Sequence, residues 1–129
     1  MLIISIYGPP SDNAILFIDK LSELLSIISG NSYDEIIRCG DINLDIFNCD
    51  NNENTLNLLN SLMSGSLIPI ITKQSRITDQ TATLIDNIFT NQPNGFVSVI
   101  LISDVSDHLP LLILKRNLFL KRSSQQTQM

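Results

Sequence analysis

The chain has 129 residues, 43% hydrophobic and 16% charged, with a formal net charge of −5 and a sequence pI near 4.5. That length holds one domain with a real core, and the composition excludes a disordered chain. The acidity argues against a broad basic face for nucleic acid, yet leaves room for an enzyme whose acidic pocket holds a divalent cation.

Residues 2–7 form a short apolar run that Gly8-Pro9-Pro10 ends, which predicts a strand followed by a forced turn. Ser11 or Asp12 can cap the helix that follows. Its apolar positions Phe17, Leu21, Leu24, Leu25 and Ile28 recur at helical spacing until Gly30-Asn31 stops it. A strand is expected over 36–39, ended by Gly40-Asp41. An Asn/Asp-rich loop over 48–54 leads into a second helix with the stripe Leu56, Leu59, Leu62 and Met63, closed by Gly65. Residues 67–71 read as a strand in which Pro69 points to an edge position or a bulge. The polar stretch 72–83 reads as too long and too polar for a tight hairpin. Three more strands are expected over 84–90, 96–102 and 109–114, and 123–129 as a polar, frayed end. The order predicts an α/β layered domain of mixed sheet over 1–118, with a polar tail over 119–129. The apolar opening strand has nothing before it to pair with, so further strands are expected to precede it.

Cys39 and Cys49 form no CxxC pair, and a single histidine cannot complete a zinc site with them, which suits a reducing compartment. No secretory signal is visible, and Asp104, Asp107 and His108 interrupt the apolar stretch over 98–114, so no membrane span is expected. An intracellular protein, nuclear or cytoplasmic, is the expectation. Lys115, Arg116, Lys121 and Arg122 read as a solvated basic end rather than a phosphate grip.

Three polar clusters interrupt apolar strands near their ends, where layered α/β proteins place their sites. The first is Gly40-Asp41-Ile42-Asn43, continuing to Asp45. Asp41 and Asn43, two apart in an extended segment, point to one side and can orient a water and a phosphate together. Alone, this cluster reads first as an Asx turn closing a strand. The second is Asp86-Asn87 within 85–91, where a carboxylate in an apolar run needs a partner or lies on a polar face. The third is Asp107-His108. Adjacent side chains diverge, so another carboxylate must orient His108, and Asp86 is the candidate.

Taken in order, Tyr7 before a proline turn, GDxN, the IDNIFTN stretch over 85–91 and SDH over 106–108 resemble the endonuclease/exonuclease/phosphatase superfamily. Ser75-Arg76-Ile77-Thr78 followed by 83–91 is similar to the apurinic-endonuclease-like branch of non-LTR (LINE-type) retrotransposons. The resemblance runs from Leu2 to about Leu114 and covers that domain's C-terminal half only. It implies part of a four-layered, DNase I-like α/β sandwich, and Mg²⁺-dependent (alternatively Mn²⁺-dependent) nicking of DNA. By motif, Asp41 would orient or activate the attacking water and Asn43 would help hold it. Asp107 would serve the metal, and His108, oriented by Asp86, would donate to the scissile phosphate. Tyr7 would lie beside that phosphate, with Arg76, Thr78 and Asn87 binding substrate. Members of the superfamily also carry an earlier metal-binding Glu. Neither Glu23, inside the first helix, nor Glu35, at a strand start, takes its place, so the isolated chain is expected to be weakly active or inactive. Alternatives are a phosphatase of the same superfamily and a non-catalytic mobile-element remnant or interaction module. Exposed sheet surface left by missing strands would favour self-association.

Overall fold

In chain order, a computed structural model that describes residues 1–8 and 13–116 contains β1 (Leu2–Ser5), α1 (Ala14–Ser29), β2 (Ile36–Asp41) and a 3-10 segment (Ile46–Asn51). There follow α2 (Glu53–Ser64), β3 (Ile68–Pro69), β4 (Arg76–Ile77), β5 (Ala82–Thr83), β6 (Asp86–Thr90), a 3-10 turn (Pro93–Gly95), β7 (Phe96–Ile100) and β8 (Leu111–Lys115). The expected caps Ser11 and Asp12, and the tail over 119–129, lie outside the described residues.

The main sheet has the order β1-β2-β6-β3. β1 runs parallel to β2, Leu2 opposite Ile36 through Ser5 opposite Cys39, and α1 supplies the crossover that a parallel pair requires. β6 lies antiparallel to β2, and its first residue Asp86 faces the last residue of β2, Asp41. β3 pairs with β6 at the sheet edge, where Pro69 removes no ladder donor that a neighbour needs.

Alternation along β2 and β6 sorts their side chains onto two faces. Ile36 and Phe89 turn to a core shared with Ile18 and Leu21 of α1 and Leu58, Leu59 and Leu62 of α2. Ile37, Cys39 and Ile88 turn to the opposite face, where Phe96, Ile100, Leu111 and Ile113 of the β7–β8 hairpin cover them. The described residues therefore form three layers: a helix pair, a four-stranded mixed sheet and a two-stranded sheet. No helix among them is long and apolar enough to cross a membrane.

Three local expectations change. The loop expected over 48–54 is largely helical, because Asp45 caps the 3-10 segment through Phe47 N and Asn52 caps α2 through Thr55 N. The buried stripe of α2 is Thr55, Leu58, Leu59 and Leu62, at i, i+3, i+4 and i+7, while Leu56 and Met63 face outward. The polar stretch over 72–83 does contain a hairpin, β4–β5. Its turn is closed by the Thr78 hydroxyl, which accepts from Thr81 N at 3.0 Å and Gln80 N at 3.3 Å.

Candidate active site

The site forms where β2 and β6 end side by side. Gly40 is required there: its φ is +138°, and an added Cβ would collide with the Ile6 carbonyl oxygen. The turn that follows puts Asn43 at φ 51°, a left-handed conformation that asparagine tolerates. Asn43 donates its backbone N–H to Asp41 Oδ1 at 2.8 Å, and its side-chain Nδ2 donates to the Gly8 carbonyl. Gly8 N in turn donates to Asp41 O at 2.7 Å, so the end of the first strand is stitched to the GDxN turn.

His108 arrives from the connection between β7 and β8. Its Nδ1 lies 2.9 Å from Asp86 Oδ2 and 4.0 Å from Asp41 Oδ2. A carboxylate at hydrogen-bond distance assigns the Nδ1 proton in the neutral ring, which turns Nε2 away from both acids. Ligand atoms of Asp41, Asp86 and His108 all lie within 4.8 Å of one another, the arrangement among the described residues that could hold a metal ion. The side chains of Asp41 and Asp86 are 19% and 15% exposed, against 38% for the imidazole, so the acids sit deeper than the base. Loss of solvent around Asp41 raises its proton affinity above the usual carboxylate range. The Asn43 amide opposes that shift, and the Asp86 charge adds to it.

Asp107 does not join this group. Its carboxylate accepts from Arg76 Nε at 2.8 Å, and this guanidinium holds it below the usual carboxylate range. Thr78 spends its hydroxyl on the β4–β5 turn. Tyr7 is 64% exposed, one residue before the Gly8 that bonds Asp41. The expectation that Asn87 binds substrate gives way. Its side chain is fully buried, accepting from Ile71 N at 3.2 Å and donating to Ile71 O at 3.0 Å, so it fastens β6 to the segment after β3.

Two further residues brace the site. Asp45 Oδ1 accepts from Leu84 N at 2.9 Å, bracing the GDxN turn against the approach to β6; an Asp ahead of a short helix is a capping signal that could have marked it. Ser75, fully buried, accepts from two backbone amides of that same approach. A serine inside a polar run gave no signal of this.

No family model and no curated protein matches the sequence. Among solved structures, the fold is similar to an endonuclease/exonuclease/phosphatase family protein from Leptotrichia buccalis C-1013-b, with a TM-score of 0.51 and 18% identity. The alignment covers 72% of this chain and 40% of that one, so the chain corresponds to less than half the length of its structural neighbour. The likeness is one of fold: a mixed α/β architecture similar to that neighbour's, which here carries a cluster of two carboxylates and an imidazole at the ends of its central strands.

Proposed function

We propose that this chain is part of a divalent-cation-dependent phosphodiesterase acting on DNA, of the nicking type associated with LINE-type retrotransposons. The observation that carries this reading is the convergence of Asp41, Asp86 and His108 at neighbouring strand ends. Phosphodiester hydrolysis needs an oriented water and preorganised positive charge where the transition state gathers negative charge. Asp41, with its raised proton affinity, suits the task of taking a proton from water. The Asn43 carboxamide is anchored through Nδ2 to Gly8, and its oxygen, with no partner among the described residues, would hold that water. His108, held by Asp86 through Nδ1, would donate from Nε2 to a phosphate oxygen in its imidazolium form. Losing one such donor costs about 2.7–4 kcal/mol of barrier.

The donor set fits Mg²⁺ or Mn²⁺: oxygens of one or two carboxylates with the remaining positions left to water are what Mg²⁺ takes. Asp86 would hold it, joined by Asp107 once Arg76 releases that carboxylate, with Asp41 left to the water. When bound, the cation supplies positive charge against the phosphate. No glutamate lies in the cluster among the described residues, so in this reading the isolated chain binds the cation weakly and nicks DNA weakly or not at all.

Mn²⁺ titration followed by NMR tests the site without relying on turnover. Paramagnetic broadening is expected first at the amides of Asp41, Asn43 and Asp86; uniform broadening across the chain would remove the metal site. Supercoiled-plasmid nicking with Mg²⁺ tests the activity. Strong nicking by the chain alone that both Asp41→Ala and His108→Ala abolish would overturn the weak-activity reading while supporting the nuclease. The Arg76–Asp107 ion pair favours a second reading, a non-catalytic module in which that pair is permanent. Retention of the pair at saturating Mn²⁺ would select it.

A further inference from the structure

The Asp86–His108 contact joins side chains 22 residues apart, one from the main sheet and one from the connection leading into the third layer. Strand pairing alone does not fix it, because the main sheet and the β7–β8 hairpin share no ladder. Ser98 Oγ of β7 reaches Ile70 O at 2.9 Å, but beside Asp86 and His108 themselves it is a short segment, residues 75–77, that is bonded to both sides. Ser75 Oγ accepts from Ile85 N at 3.1 Å and from Asp86 N at 2.8 Å. On the other side, Ser75 O accepts from Leu109 N at 2.7 Å, Ile77 N donates to Asp107 O at 2.9 Å, and Arg76 forms an antiparallel bridge with His108.

Consecutive amides of a strand point in opposite directions, so two of them converging on one oxygen is not strand geometry. It is the concave amide arrangement that ordinarily receives an anion, here filled by a buried hydroxyl. This arrangement lies at the point where β6 begins, at the residue whose side chain is that of Asp86.

We infer that Ser75 is a positioning residue for the catalytic pair: its hydroxyl aims Asp86 and its carbonyl seats the segment carrying His108, so that one residue sets their 2.9 Å contact. This rests on the reading of Asp86 and His108 as the working pair. Removing the hydroxyl leaves two buried amides without that acceptor and lets the start of β6 shift. Asp86 then swings off Nδ1, and the imidazole loses what selects its tautomer.

The measurement is the ratio of the Nδ1–H to the Nε2–H form of neutral His108, read from long-range ¹⁵N–¹H spectra of the labelled full-length chain. With His108 the sole histidine, the signals need no assignment. The wild-type ring is expected to be almost wholly Nδ1–H. Ser75→Ala is expected to lower the ratio about tenfold, the factor corresponding to one lost charge-assisted hydrogen bond. Asp86→Asn is expected to lower it as far, with no further change in the double variant. Ser75→Thr, which keeps the hydroxyl, is expected to restore it. Should Ser75→Ala not fold, Ser75→Cys, with its weak sulfur acceptor, answers the same question. A wild-type ratio in Ser75→Ala or Ser75→Cys, alongside a changed one in Asp86→Asn, overturns the role of Ser75. An unchanged ratio in Asp86→Asn overturns the pair itself and the inference with it.

Discussion

At the scale of single residues, burial and charge conflict at two places, one in the site and one behind it. Asp41 holds its proton more tightly in the fold than in the unfolded chain, whose carboxylates titrate near ~3.9. The folded state therefore binds more protons as pH rises through that value, and stability falls across the window between the unfolded value and the raised one. Asp41→Asn keeps the acceptor for the Asn43 amide and removes the charge. We expect it to stabilise the fold at pH 7 by on the order of 1 kcal/mol, with the gain vanishing below about pH 4. Urea denaturation at both values checks this; a gain that persists in acid would rule out the charge as its cause. Arg38 is the second case. It is fully buried on β2 with no hydrogen-bond partner for any guanidinium nitrogen among the described residues, and rests against the Phe89 ring, 5.2 Å to its centroid. Desolvation lowers its pKa to about 10, so it stays charged at neutral pH. An unpaired buried charge costs more than stacking on a ring returns. Arg38→Met should therefore raise stability by about 1–3 kcal/mol in thermal or chemical unfolding. The polar clusters were legible because carboxylates stand out in aliphatic runs. Asn87 was misread because the backbone that saturates its amide lies sixteen residues away in sequence.

Elements were legible where periodicity is long. Both helices and the strands that became β2, β6, β7 and β8 follow from apolar spacing and glycine stops. The face of α2 did not, because Leu56, Leu58, Leu59 and Leu62 satisfy two overlapping stripes, and only docking on α1 and the sheet chooses between them. Leu58→Ala should cost about 2–5 kcal/mol, since Leu58 is wholly enclosed. Leu56→Ala, at a position 42% exposed, should cost less than about 1 kcal/mol. Comparable losses would mean that α2 is rotated. The β4–β5 hairpin escaped detection because its turn has no glycine and is built from a threonine hydroxyl. Gly40 marks a close approach of β1 to the GDxN turn, so Gly40→Ala should destabilise by about 2 kcal/mol or more.

For the whole molecule, the layer order could not be read from sequence, because apolar strands do not announce which neighbour covers which face. The covering is uneven. β7–β8 shields β2 and β6, whereas Ile3 on β1 is 60% exposed and lines, with Cys39, Asp86, Ile88, Leu111 and Ile113, a hollow of about 410 Å³. We propose that this open apolar face, beside a strand β1 with one edge unpaired among the described residues, is a surface for self-association. Sedimentation velocity should find concentration-dependent oligomers that Ile3→Lys suppresses; a monomer at all concentrations with an unchanged profile in the variant would refute this.

One joint has a further consequence. Two of the three chemical groups belong to the central sheet, while the third arrives with the outer hairpin, which Lys115 also tethers to Glu35 at 2.6 Å. Such a hairpin can lift away at a lower free energy than complete unfolding requires. The fraction of chains with the three groups together is then governed by that partial opening rather than by the melting point. Loss of the His108–Asp86 contact would precede any change in helical circular dichroism, and hydrogen exchange at 111–115 would report it better than calorimetry.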